Sequence, residues 1–140
     1  MFNVYVRAFL YIENNTILLL RHCTESFGYG LYGMIGGTIN SDERALDAVQ
    51  RKIFEEVGLD ISKKELAFAH ALHRTSLEKQ IVLLCFKANI SMLQKPYNKQ
   101  PNKPDQLLVC PINELPQNIS LAHKRIIECI SNNIIYSEFV

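Results

Sequence analysis

Two adjacent carboxylates, Glu55 and Glu56, end a run of helical spacing in which Lys52 stands one turn earlier. At about 100° per residue, these three side chains share roughly a 100° sector of one helix face. The ordinary reading is a solvated face, with Asp47 and Arg51 on the neighbouring flank and Arg51 spaced i, i+4 from Glu55. Each such ion pair adds only about 0.2–0.5 kcal/mol. Two features favour chemistry instead. Carboxylates in a last turn oppose the negative end of the helix dipole. A glycine-rich run, TESFGYGLYGMIGGTI, also leads into this helix and brings backbone close to the acids. Acid held at an unfavourable place beside a tight turn suits a hard cation, and a hard cation beside glycine suits phosphate.

The surrounding chain supplies elements that can position this cluster. NVYVRAFLYI and TILLLRH are strand-like and are separated by the turn residues ENN, a hairpin signal. Asn40 reads as a helix N-cap, with Glu43 completing a capping box. Ala45, Leu46, Val49, Ile53 and Val57 make one apolar face, and Gly58 is placed to stop the helix. ELAFAHALHR and QIVLLCFKANI read as two strands around the turn TSLEK. A proline-rich loop follows, then the short strand LLVCPI, and Leu121, Ile126, Ile127 and Ile130 mark a second amphipathic helix.

Set out in this way, the residues resemble the Nudix box, G-x5-E-x7-R-E-U-x-E-E-x-G-U, where U is a bulky aliphatic residue. Gly37, Glu43, Arg51, Ile53, Glu55, Glu56, Gly58 and Leu59 stand at its fixed positions. Ile35-Gly36-Gly37 stands where that family has Pro-Gly-Gly. The resemblance implies an α/β fold, a Nudix-type α/β/α sandwich around a mixed β-sheet, with residues 1–140 as a single domain and the box at 37–59. It implies a Mg2+-dependent pyrophosphohydrolase, with Mn2+ as a second ion, cleaving the diphosphate of a nucleoside diphosphate linked to another group. Glu55, Glu56 and the Gly36 carbonyl are the implied metal ligands. Glu43 and Arg51 join the glutamate pair in the catalytic set by tying loop to helix. Arg21, Tyr32 and Gly37 are the implied substrate contacts, and Tyr29 and Leu31 lie in the loop that would face a nucleobase.

One position departs from the pattern: Lys52 replaces the first glutamate of R-E-U-x-E-E. A protonated lysine cannot ligate a cation and has no basic lone pair. Within reach of Glu55 or Glu56 it competes with metal for the same oxygens, an effect of about 4 kcal/mol at 4 Å and an effective dielectric of 20. Weaker metal binding is expected, with a general base drawn from Glu78, Asp105, Glu114 or Glu138, or absent. Gln100 stands where one branch of the family has an acid. The alternative is a nucleotide-binding Nudix-fold protein with little or no hydrolysis.

Bulk properties narrow the partners. A net charge of +1 argues against broad attraction to a nucleic-acid polymer or an anionic membrane. The runs TILLL and IVLLCF are too short to span a bilayer. The opening residues lack a signal-peptide pattern, and Cys23, Cys85, Cys110 and Cys129 are scattered as reduced thiols are, so a cytoplasmic location is expected. A small nucleotide is the expected partner, and a homodimer is compatible with the family. His70 and His73 point to opposite faces of a strand, which argues against a shared metal.

Overall fold

The computed structural model describes residues 2–13, 15–21, 30–76, 78–91, 93, 95–96 and 106–139. Its strands are β1 (Phe2–Ile12), β2 (Thr16–Arg21), β3 (Tyr32–Gly33) and β4 (Ile35–Thr38), followed by helix α1 (Ala45–Val57). Then come β5 (Ala67–Ser76), β6 (Lys79–Asn89) and β7 (Gln106–Pro111), helix α2 (Leu121–Ser131) and β8 (Tyr136–Phe139). They form one mixed sheet in the order β3-β2-β1-β6-β5-β8, with β4 added to β1 and β7 to β2.

The pairing of β1 creates the place where a site can form. One edge of β1 runs parallel to β6 along almost its whole length. Its other edge is divided: Tyr5 to Ala8 pair with β4, whereas Tyr11 and Ile12 pair with β2. The Gly36–Gly37 segment therefore lies beside the middle of the sheet.

Alternation along the strands builds a core on each face. Val6, Ala8 and Leu10 of β1 and Leu18 and Leu20 of β2 meet Ala48, Val49, Ile53 and Val57 of α1. Phe9, Ile17 and Leu19 face the other way, onto Ile126, Ile127 and Ile130 of α2. This is the period-two pattern of a sheet covered on both sides. Both helices present the apolar stripe that their spacing predicts, with one exception: Leu121 is 70% exposed, because it begins the first turn of α2 and points away from the sheet.

Three boundaries differ from the sequence reading. Helix α1 starts at Ala45 with Arg44 as its N-cap, not at Asn40. Asp42 takes a positive φ of 64°, which breaks helical continuity, and the Glu43 carboxylate is engaged by Arg51. The predicted stop does form: Gly58 adopts φ 71° and donates its N–H to the Phe54 carbonyl. The β5 and β6 strands run further than expected, leaving a tighter turn between Ser76 and Lys79. The C-terminal residues YSEF form β8. It pairs in parallel with β5 at the sheet edge, three strands from β1.

Ile126→Ala should lower unfolding stability by about 2–5 kcal/mol, since it empties a fully buried site. Leu121→Ala should stay within about 0.5 kcal/mol of the parent. Equal losses in denaturant titrations would contradict the packing of α2.

Candidate active site

Glu56 lies on the buried face of α1, among Ala48, Val49, Ile53 and Val57, and is only 6% exposed. A carboxylate at such a place needs donors or opposing charge. Its Oε1 accepts a hydrogen bond of 3.0 Å from the Gly36 N–H. Arg7 of β1, the register partner of Gly36, supplies positive charge. Burial pushes the Arg7 guanidinium below its usual range, and the charge of Glu56 acts in the opposite direction. The buried Nε of Arg7 has no hydrogen-bond partner among the described residues.

Gly36 is required by its neighbours, whereas Gly37 is met only by the flexible end of Lys52. Gly36 has φ 154°, and a Cβ there would lie 2.1 Å from the Val6 carbonyl oxygen and 3.0 Å from Cδ of Arg7. A Cβ on Gly37 would meet Lys52, at 2.8 Å from Cε and 3.4 Å from Nζ. The aliphatic arm of Arg7 therefore passes Gly36, and that of Lys52 passes Gly37. Any side chain at 36 or 37 would displace backbone or one of these two arms.

Arg51 joins the loop to the helix. Its Nε and Nη2 donate to Glu43 at 2.8 and 2.9 Å, Nη2 also reaches the Thr38 carbonyl at 3.1 Å, and Nη1 donates to Glu55 at 3.2 Å. This bidentate fork holds the Glu43 carboxyl down at about 2, first through Arg51 and then through the Asn40 N–H. Glu55, 40% exposed, also receives Lys52 Nζ at 3.5 Å. Lys52 thus pairs with Glu55, and Glu56 turns instead to the glycine backbone. The two acids face different surroundings. Asp47, on the flank of α1, pairs with Lys63.

The remaining sequence candidates scatter. Tyr32 lies in β3, packs against the α2-side core and exchanges backbone hydrogen bonds with Asn118 and Ser120. The Arg21 backbone pairs with Tyr32 and Gln106, and its side chain lies outside the described residues. Tyr29, Gln100, Cys23 and Asp105 are outside them too. Glu78 is exposed in the β5–β6 turn. Glu114 follows β7 next to the β1–β2 hairpin, beyond Pro111, which by register lies about 17 Å along the strand from Arg7 at 3.3 Å per residue. Glu138 sits on β8, three strands from β1 or roughly 14 Å, and accepts from the Tyr136 hydroxyl. Neither of these two is placed to serve a reaction at Gly36.

His70 is fully buried, with its ring nitrogens on the Ile134 carbonyl and the Ser137 hydroxyl. It secures β8, and His73 contacts Gln80 instead. Cys85, Cys110 and Cys129 are free and buried, and burial pushes the Cys85 thiol up to about 12.

Two residues near the site escape a motif search. Arg7 could have been noticed as a cation in an otherwise apolar strand. His123 has no local signal: from α2, its Nδ1 accepts the Met34 N–H at 3.0 Å, just before the glycine turn. A cavity of about 460 Å³ opens beside the turn, lined by Phe2, Asn3, Val4, Tyr5, Thr38 and Ile39.

A carboxyl depressed on folding adds stability above its ordinary value of 4.5, and that contribution fades as pH falls through about 2. The stability gap between the parent and Glu43→Gln should therefore shrink as pH is lowered across this interval. A gap independent of pH in denaturant titrations would show that the Arg51–Glu43 pairing does not stabilise the loop.

Against known proteins, residues 1–129 match the family described as NUDIX domain. No curated protein matches the sequence. Among solved structures, the chain is similar to a MutT NUDIX hydrolase from Burkholderia pseudomallei: TM-score 0.79, 21% identity, covering 91% of this chain and 97% of that one. The NUDIX domain of Shewanella oneidensis NrtR, solved with ADP ribose, aligns with TM-score 0.74 at 20% identity over 94% and 88% of the two chains. A bifunctional NMN adenylyltransferase/ADP ribose pyrophosphatase from Francisella tularensis, solved with AMP and a Mn ion, gives 0.70 at 18% identity, covering 94% of this chain and 42% of that one. With its family match spanning nearly the whole sequence and its mixed sheet packed between two helices, this chain belongs to the Nudix hydrolases, enzymes of phosphoanhydride bonds.

Proposed function

We propose that the chain is a Mg2+-dependent pyrophosphohydrolase that cleaves the diphosphate joining a nucleoside to a second group. The observation that carries this reading is the 3.0 Å bond between the Gly36 N–H and buried Glu56, which fixes carboxylate oxygen against glycine backbone. The available donors are hard oxygens: Glu55, Glu56 and the Gly36 carbonyl. Among the described residues no group of three or more His, Cys, Asp or Glu side chains is gathered for a metal. That donor set fits Mg2+, which is commonly held by one or two carboxylates together with substrate phosphates, and Mn2+ shares the preference for oxygen.

When bound, such an ion supplies polarisation of the phosphoryl oxygens and a lowered pKa for attacking water. The chain's own residues orient the reactants. Glu56 is held rigid by the Gly36 N–H, and Arg51 restrains Glu55 and the Thr38–Glu43 loop together. The arms of Arg7 and Lys52 run past Gly36 and Gly37, so a phosphate at the turn would meet cationic side chains there. The cavity beside Tyr5 and Thr38 is within the size range of small-molecule sites and is assigned to the nucleoside or its attached group. The ligands in the Shewanella and Francisella structures, ADP ribose and AMP with Mn, support a nucleotide of this class. Arg21 and Tyr32 are proposed to contact substrate from the β2–β3 side. Among the described residues no helix is long and apolar enough to cross a membrane, and a cytoplasmic setting is the one proposed for such a substrate.

Glu56→Gln keeps the shape of the side chain and removes its charge. Turnover of ADP-ribose-like substrates should fall by more than the roughly 10–100-fold that losing even an outer partner of a metal site costs. Chelation should abolish turnover and added Mg2+ should restore it. Undiminished hydrolysis by the glutamine variant, measured as phosphate-containing product, would refute the assignment.

A further inference from the structure

We infer that Arg7 and Lys52 are cations placed on either side of the Gly36–Gly37 turn, and that they bind a diphosphate directly, without metal. This deepens the reading above and rests on its placement of the diphosphate at the turn. Consecutive residues of a strand present opposite faces, so Cβ positions at 36 and 37 point in opposite directions. The first is filled by the arm of Arg7 and the second by the arm of Lys52. The chain has therefore folded one cationic side chain over each glycine.

Each cation carries a sign that it is not fully used by the protein. Arg7 keeps a buried Nε without a hydrogen-bond partner among the described residues, an arrangement that costs free energy unless something accepts that proton. Among the described residues the carboxylate whose charge acts on it is Glu56, whose Oε1 is already bonded to Gly36. Lys52 holds Glu55 at 3.5 Å, longer than a good charge-assisted bond, and Glu55 is simultaneously held by Arg51. An ammonium can leave such a shared carboxylate for phosphate oxygen at little cost. Arg7 offers a directional donor and Lys52 a mobile point charge, the two complementary ways of meeting phosphate.

Lys52 then does more than weaken the metal site. Positive charge that the family motif would recruit through a glutamate is here carried by the chain itself. Diphosphate affinity should accordingly persist where the usual acid at this position would leave it wholly dependent on a divalent ion.

The test is calorimetric titration of the full chain with inorganic pyrophosphate in excess chelator. The unaltered protein should bind. Lys52→Met should weaken that binding about tenfold, the equivalent of one lost charge-assisted contact. Arg7→Lys, which keeps the charge but removes the Nε–H, should weaken it by a smaller factor, with thermal melting confirming that the variant folds. Lys52→Glu should lose chelator-resistant binding while gaining affinity for Mn2+, titrated separately. No binding by the unaltered chain in chelator, or equal affinity in Lys52→Met, overturns the inference. Equal affinity in Arg7→Lys removes Arg7 from it and leaves that residue as a neutraliser of Glu56. Failure here is distinct from failure of the proposed function, since Glu56→Gln reports on metal-supported turnover and the chelator titration does not.

Discussion

A carboxylate buried at the C-terminal end of a helix is doubly unfavourable, because it is removed from water and placed against the negative end of the dipole. Glu56 occupies that position, and much of the local architecture can be understood as compensation for it. The Gly36 N–H meets one oxygen, and Arg7 brings a buried positive charge from the adjacent strand. These demands bring the last turn of α1 onto β4 and place backbone, acid and guanidinium in one small volume. A buried carboxylate with a cation nearby adds little net stability by itself. Its retention here is better explained by what the carboxylate can bind.

The same constraint explains the paired glycines. Gly36 must remain bare because the Val6 carbonyl and the arm of Arg7 occupy the space of a side chain, while at Gly37 a side chain would push aside the flexible end of Lys52. Around them, Arg51 links Thr38, Glu43 and Glu55, so the loop before α1 and the last turns of the helix are tied together. The Arg51–Glu43 fork is two parallel hydrogen bonds, and planar geometry of this kind fixes orientation as well as distance. Precision at a phosphate site depends on such outer contacts.

The sheet provides the platform. Because β1 pairs with β4 along one stretch and with β2 along another, the glycine turn is held next to the centre of the fold. Both faces are covered, by α1 and by α2, which leaves the core insensitive to the chemistry carried on the turn. Similarity to Nudix structures with only about a fifth of positions identical is consistent with this separation. Packing asks for apolar residues of suitable size at alternating positions, and many sequences satisfy that.

Local periodicity and turn chemistry were enough to read most elements of this chain. The apolar stripe of α1, its stop at Gly58 and the β1–β2 hairpin depend on neighbours within a few residues, and these are visible in one dimension. The spacing of Gly37, Glu43, Arg51, Glu55 and Glu56 likewise identified the family, because the Arg51–Glu43 and Arg51–Glu55 bonds form between a loop and the helix directly following it. The start of α1 was misplaced because Asp42 takes a positive φ and separates Asn40 from the helix, although Glu43 does accept the Asn40 N–H as a capping box would. Other features depended on chain segments distant in sequence. That Glu56 turns to Gly36 while Glu55 turns to Lys52 follows from how α1 docks on β4. The approach of Arg7 to the turn, the His123 contact with Met34 and the removal of Glu114 and Glu138 from the site were decided by strand pairing and helix packing. Residue type and spacing determine which groups can do chemistry, but burial and register determine which of them meet, since those arise only when the sheet and both helices close on a common core.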